Sequence, residues 1–284
     1  MRGLPLLCFA LVLHADESTQ KLADRLAREA EAFEKIAPQL VDRETLHQRV
    51  MAPPARFKLR VGDAATHPPV ATWKEREIVS EYAVALLDSE IHELRQVTSV
   101  DGKQVAGESE AQNTLVKLLT SHNDERKKRA LEQLEKYGLR GGATDFGQIL
   151  LLFTRSNLER YEITAVGPRL LGTVPTQVFH YRQLDGPVAL TVVLGNGQFR
   201  TQRLSVEGEI WVRESDGLPL RITMAATDTG TEQTLREEAT VDYAMSEFGT
   251  LLPLETTHRE LRSGVEVAEN KTTYADFHRF GAPR

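Results

Sequence analysis

His92-Glu93 is the first place along the chain where residue types and spacing could do chemistry, because it begins like the helix motif that holds zinc between two histidines four positions apart. The second ligand would stand at position 96, which is Gln96, so the two-histidine face does not exist. The other histidines, at 14, 47, 67, 122, 180, 258 and 278, never pair at ligand spacing either, and no metal site is expected. Gly195-Asn196-Gly197 carries two glycines of a phosphate loop, but without a helix start behind it the amides cannot cradle an anion, and a hairpin turn is the reading. No serine stands in the glycine-flanked elbow that exposes an attacking hydroxyl. With 41 Asp and Glu in the chain, an adjacent pair such as Glu237-Glu238 is uninformative. An enzyme with an unrecognised site therefore ranks third among the readings, with no catalytic residue and no cofactor assigned.

The one cysteine, Cys8, falls in the uncharged run Leu4 to Leu13, which comes after Met1-Arg2-Gly3 and precedes Ala15. A basic start, an apolar run and a small residue, in that order, make residues 1–15 a cleavable signal peptide, shorter than the ~18 residues of a membrane span. Pro5-Leu6-Leu7 lacks the small residues that would turn Cys8 into a lipid anchor. The expected compartment is periplasmic or secreted. Without Cys8 the mature chain has no thiol, which excludes disulfides, cysteine nucleophiles and thiolate metal sites. No other apolar run is long enough to cross a bilayer. A formal charge of −6 gives no support to nucleic acid as a partner. The basic run Arg126-Lys127-Lys128-Arg129 is offset by Asp124, Glu125, Glu132 and Glu135 and reads as a solvated helix face.

In the body of the chain, residues 17–50 are expected to be helical, with Leu22, Leu26, Ala30, Phe33 and Ala37 at helical spacing. Pro38 breaks that stretch, and a second helical piece carries Leu40, Val41, Leu46 and Val50. Arg56 to Val61 alternates as a half-buried strand, and His67-Pro68-Pro69 is a loop. Trp73–Leu86 and Ile91–Val100 are strands, the second ending in a tight turn at Asp101-Gly102. Ser109 to Tyr137 is helical, interrupted at Ser121-His122-Asn123-Asp124. Asp145 to Phe153 is a short apolar helix, although Ile149–Phe153 fits a buried strand equally well. From Arg160 on, strands are expected at Tyr161–Val166, Thr176–Leu184, Val188–Leu194, Gln198–Arg213, Leu218–Ala225, Thr231–Ala244, Thr250–Leu261 and Val265–Phe277. Short turns between them force antiparallel pairing.

Gly208-Glu209-Ile210-Trp211-Val212-Arg213-Glu214-Ser215-Asp216-Gly217-Leu218-Pro219-Leu220 is a strand ending in Trp-Val, a turn closing on glycine, and Leu-Pro-Leu opening the return strand. That run resembles the LolA-like family of periplasmic lipoprotein carriers and the envelope-stress regulators that share its fold. Val100-Asp101-Gly102-Lys103 before a helix and Tyr274-Ala275-Asp276-Phe277 in a final strand are similar too. The helical stretches at the N-terminus and over 109–153 are longer than that family's pattern. The resemblance implies an α+β fold: a strongly bent antiparallel sheet, an incomplete β-barrel, covered by helices, whose concave side can accept acyl chains. The organisation is then a signal at 1–15, an N-terminal helical segment over 16–51, and a LolA-like β domain over 52–284 with a helical insertion at about 109–153. The implied partner is a lipid acyl chain or lipoprotein. A protein-binding envelope regulator or scaffold is the alternative.

A three-residue turn at Ser215-Asp216-Gly217, with Gly217 left-handed, places Ile210, Val212, Leu218, Leu220, Ile222 and Met224 on one apolar face, the candidate ligand-binding wall. Trp211, Arg213, Arg221 and Thr223 project from the other. Cleavage of the signal after Ala15 should leave a mature chain beginning Asp16-Glu17-Ser18. Edman sequencing of exported protein checks this, and a chain still starting at Met1 would contradict it.

Overall fold

Pro38 does end the first helix, and the strand that comes after it decides the architecture. The computed structural model describes residues 7–52, 72–87, 90–121, 123–133, 137, 146–184, 188–194, 198–228 and 234–280. Helix α1 (Leu7–Ile36) presents Leu22, Leu26, Ala27, Ala30 and Phe33 as one buried stripe. Pro38 sits in a 3-10 turn, Ala37–Gln39, and Leu40 is already extended. The expected second helical piece is instead strand β1 (Leu40–Ala52), paired on one side with β2 (Thr72–Leu87) and on the other with β13 (Val265–Arg279). Its inward residues are Leu40, Asp42, Glu44, Leu46 and Gln48, all buried. Three polar residues at inward positions hide a period of two, which is why the stretch resembles an amphipathic helix in sequence. The N-terminal segment is therefore helix followed by a strand inside the sheet, not helix to residue 51.

β2 and β3 (Glu90–Val100) match their expected spans, and Asp101 and Gly102 turn the chain into the two-residue β4 (Lys103–Gln104) with positive φ of 50° and 72°. The Arg56–Val61 strand and the 67–69 loop lie outside the described residues. Helices α2 (Glu108–Leu119) and α3 (Asp124–Gln133) fill the expected helical stretch. The Asn123 side chain accepts from the Arg126 amide at 3.3 Å, capping α3. Leu115, Leu118 and Ala130 pack on Val41, Ala83, Ala85 and Leu94, so this pair covers the outer face of β1–β3. Lys127 is not solvated with its basic neighbours: it is buried and donates to the Leu86 carbonyl at 2.6 Å. Ile149–Phe153 is a single 3-10 turn, neither α-helix nor strand.

The remaining strands are β5 (Tyr161–Leu171), β6 (Val174–Gln183), β7 (Val188–Leu194), β8 (Gln198–Leu204), β9 (Val206–Arg213), β10 (Pro219–Asp228), β11 (Leu235–Met245) and β12 (Leu251–Arg262). The expected long strand 198–213 is thus two, split at Ser205: β8 pairs with β7 in a separate hairpin, and β9 joins the main sheet. Among the described residues that main sheet has 11 strands in the order β4-β3-β2-β1-β13-β12-β11-β10-β9-β6-β5, antiparallel throughout and not closed into a barrel. One continuous core joins Tyr82 and Val84 of β2 to Tyr161 of β5 through α1 and Ile149–Phe153. Laid flat, the intervening strands would span roughly 40 Å, against about 10 Å for a helix, so the sheet bends strongly around its contents. A curved α+β half-barrel is the result.

At the β9–β10 turn the expected three-residue loop is wrong. Arg213 N–H donates to the Leu218 carbonyl at 2.8 Å, making a four-residue loop, with Gly217 left-handed at φ 68°. Asp216 explains it: its carboxylate accepts from Arg213 Nε and Nη2 at 2.8 and 2.7 Å and from the Leu218 amide at 3.2 Å. A bulge comes at once. Pro219 opposes Val212, Arg221 opposes Trp211, and Leu220 is the extra residue between them, beside a proline that has no N–H to pair. Ile222 then faces Ile210, so the expected apolar face is restored below the bulge.

Gly208 lies opposite Tyr181, whose ring crosses it so that the hydroxyl reaches the Thr223 carbonyl at 2.8 Å. A Cβ there would stand 2.0 Å from that carbonyl oxygen and 2.9 Å from the ring. Gly208→Ala should cost about 3 kcal/mol of stability, read as a lowered urea midpoint. An unchanged midpoint would mean that β9 and β10 are not this close.

Candidate binding site on the concave face

The concave face has an apolar half and a polar half. The apolar half is the expected wall: Ile210 and Ile222 are wholly buried, Val212, Leu218 and Met224 nearly so, and Leu220 half-buried at the bulge. Leu26, Phe33, Leu150 and Phe153 belong to the same packed cluster, contributed by α1 and the 3-10 turn. Phe153 meets Tyr181 edge-on at 5.0 Å and Tyr161 at 5.5 Å. The wall is covered by the protein's own side chains.

The polar half lies on β3, β2, β1, β13, β12 and β11. Arg95, on β3, donates through Nε to both oxygens of Glu44 at 2.8 Å and through Nη2 to Glu93 at 2.6 Å. All three are buried, and the guanidinium lies 5.3 Å from the centre of the Tyr82 ring. Two carboxylates hold the Arg95 charge well above the usual arginine range, against the opposing pull of burial. Removing Arg95 would leave two buried carboxylates without a countercharge, at a cost of about 3–5 kcal/mol. Arg95 Nη1, Ser80 Oγ and Tyr82 OH have no hydrogen-bond partner among the described residues.

One strand pair over, four side chains form a hydrogen-bonded line. Gln48 donates to Asn270 at 2.7 Å, Asn270 meets His258 Nδ1 at 3.1 Å, and His258 Nε2 meets Glu237 at 2.6 Å. With the amides oriented this way Nδ1 accepts and Nε2 carries the proton toward Glu237. Burial raises the Glu237 carboxyl above its usual range, with the His258 contact opposing it. Both ring nitrogens are engaged, so His258 offers no free nitrogen to a ligand. Phe146 stacks flat on this ring, 4.5 Å away at 16°.

Residues 146–153 lie across both halves. Gly147 N–H donates to Glu93 Oε1 at 2.8 Å, and Tyr243 OH donates to the Gly147 carbonyl at 2.9 Å while accepting from the Leu150 amide at 3.2 Å. Gln148 donates to the Ile91 carbonyl at 2.6 Å. On the outer face, a polar groove of about 180 Å³ runs over β10–β12, but its Arg221 and Arg259 are already paired with Asp242 and Glu269. Among the described residues no group of three His, Asp or Glu could hold a metal, and no helix is long and apolar enough to cross a membrane.

Sequence reading placed the buried apolar face of β9 and β10 and missed the polar half. Glu93 stood in a broken zinc motif, Glu237 in an uninformative pair, and His258 among scattered histidines. A signal was nonetheless present: Leu235, Ala239, Val241 and Tyr243 alternate along β11, and the same period puts Glu237 on their buried face.

No protein-family model matches the chain, and no curated protein does. Among solved structures, a DUF1329 family protein from Desulfovibrio piger is 10% identical, with 93% of this chain and 94% of that one covered and a TM-score of 0.35. A LolA superfamily protein from Nitrosomonas europaea is 10% identical over 92% and 94%, with a TM-score of 0.37. An outer membrane lipoprotein-sorting protein domain from Vibrio parahaemolyticus is 9% identical over 91% and 92%, also at 0.37. Similarity at that level carries nothing about what this chain does.

Asp42 gives the polar half a pH signature. Burial pushes its carboxyl from 3.8 up to about 9, with the Arg43 amide pulling weakly the other way. A folded-state value above the unfolded one means that the stability contribution is complete below about 4 and is lost as pH rises toward 9. Asp42→Asn should remove that slope, up to about 1.4 kcal/mol per pH unit. Melting curves at pH 4 and pH 8.5 test this: the variant should gain most at pH 8.5, and an equal effect at both would show that Asp42 is ionised in the fold.

Proposed function

We propose that this is an exported, non-catalytic binding protein whose concave face takes the acyl chain of a lipid or lipoprotein. One observation carries the reading: among the described residues, the apolar wall of Ile210, Val212, Leu218, Ile222 and Met224 is covered by α1 and the 3-10 turn, with Leu204 of β8 in the same cluster. These covering elements do not belong to the main sheet's ladder. The side chains they lay on the wall, leucines and phenylalanines, have the chemistry of the acyl chain that would replace them. Displacement exchanges one apolar contact for another, so the hydrophobic term, about 25 cal/mol per Å², nearly cancels. Export rests on the signal-like residues 1–15, and the absence of a mature thiol suits an extracytoplasmic fold that depends on core burial.

A protein-binding regulator on the same fold is the second reading. It is favoured by β5, which closes one end of the sheet with its outer edge unpaired among the described residues and with Val166 and Leu170 exposed.

Organic extraction of the purified protein, followed by mass spectrometry, should release lipid, and a fluorescent long-chain fatty acid should bind at micromolar concentration. Leu220→Asp puts a charge at the half-buried bulge, where the fold can solvate it, and should weaken uptake about tenfold with little change in melting point. Ile222→Asp is the contrasting case, a carboxylate with no partner in the packed wall, and should unfold the protein. A wild type that releases no lipid and takes up none would abandon acyl carriage for the protein-binding reading.

A further inference from the structure

We infer that residues 161–165 of β5 are the seam of a two-fold dimer, in which the sheet of a second copy of this chain continues antiparallel across this edge. The inference is independent of what the concave face binds. It starts from a difference between the two ends of the sheet. At the β4 end the edge is closed locally. The Thr98 carbonyl accepts from the Val105 and Ala106 amides at 2.9 and 3.3 Å, and the Ile91 carbonyl accepts from Gln148. β4 itself has only two residues, and so short an edge strand is a poor template for another chain.

β5 is guarded along half of its length. Val166 is the extra residue of a bulge, Gly167 has a φ of 131°, and Pro168 has no N–H to offer. The other half carries none of these devices. The Leu184 amide donates to the Arg160 carbonyl at 2.7 Å, so in this antiparallel ladder residues 160, 162 and 164 face β6. Tyr161, Ile163 and Ala165 therefore turn their N–H and C=O groups outward, without a partner among the described residues. Glu162, Thr164 and Ala165 are exposed. The open window is bounded by the 3-10 turn Leu158–Arg160 on one side and by the bulge on the other.

This edge fits itself in one register. Outward residues must meet outward residues, which leaves two-fold axes at Glu162, Ile163 or Thr164. An axis at Ile163 pairs Tyr161 with Ala165 of the second copy and uses all the outward groups, for about six hydrogen bonds. It also sets Glu162 opposite the uncharged Thr164. An axis at Glu162 leaves one outward residue over and puts the two Glu162 carboxylates face to face, which is destabilising. An axis at Thr164 runs each copy into the bulge of the other. With one open window per chain among the described residues, pairing closes as a dimer instead of growing into a filament. The contact is short, so the dimer is weak, with a Kd on the order of tens of micromolar.

Sedimentation velocity of the full chain, from about 1 to 300 μM, should show a monomer–dimer equilibrium. Thr164→Lys places a cation opposite Glu162 of the second copy, twice over, and should tighten the dimer roughly fivefold. Thr164→Glu should loosen it by a similar factor. Ala165→Pro deletes an outward N–H and leaves the β6 ladder alone, so it should loosen the dimer roughly tenfold at an unchanged melting temperature. If that variant melts early, the two Thr164 variants decide. A chain that stays monomeric throughout leaves the edge to a strand of some other protein and overturns the inference. A dimer indifferent to these substitutions is joined elsewhere and overturns it too. So does a dimer that Lys and Glu at position 164 affect alike, since Glu162 is then not opposite.

Discussion

Glu93 faces two demands with one carboxylate. One oxygen neutralises Arg95 inside the sheet, and the other receives the amide of Gly147 from the segment lying over it. Arg95 in turn draws Glu44 from β1, so a single guanidinium fixes β3 against β1 across β2. The concave surface is in this way charged where it is most enclosed, and its charges are arranged in advance for what sits on top. Moving ions from water to such a place is expensive, and close bidentate geometry is what offsets it. The segment leading into the 3-10 turn is tied to this arrangement through the Gly147 amide.

The two halves of the face differ in how readily they can be refilled. Against the apolar wall, dispersion and burial ask for shape and little else. The polar half is selective. Its donors and acceptors are spoken for, apart from a few atoms such as Ser80 Oγ and Tyr82 OH. A newcomer must supply hydrogen bonds at fixed places or leave buried polar atoms unserved.

Much of the architecture was legible because alternation and turn chemistry are local. The strands after Arg160, the left-handed Asp101-Gly102 turn and the capped α3 announce themselves within a few residues. β1 did not, because Asp42, Glu44 and Gln48 occupy inward positions that a sequence pattern expects to be apolar. The β9–β10 loop failed for a different reason: Asp216 bonds both Arg213 and the Leu218 amide, which selects the longer turn, and the bulge at Leu220 then cancels the slip. The polar network was hidden most completely. Gln48, Asn270, His258 and Glu237 come from four strands, and nothing in any one of them names the others.

The placement of β1 between β2 and β13 has a kinetic consequence. Gln48 and Asn270 bond across 222 positions of sequence, and the strands that carry them are the first and last among the described residues. Until β13 arrives, β1 has one open edge, β12 has another, and Glu44 and Gln48 have half of their surroundings missing. Long-range closures of this kind are slow, and the partly made sheet exposes pairing edges throughout. Closure of the sheet therefore waits for β13. A ribosome-bound or truncated chain ending before residue 265 could assemble the β9–β12 meander but not the sheet that curls around α1. For such a chain the hazard lies in the interval before closure, when a holdase or a membrane passage in the unfolded state would protect it.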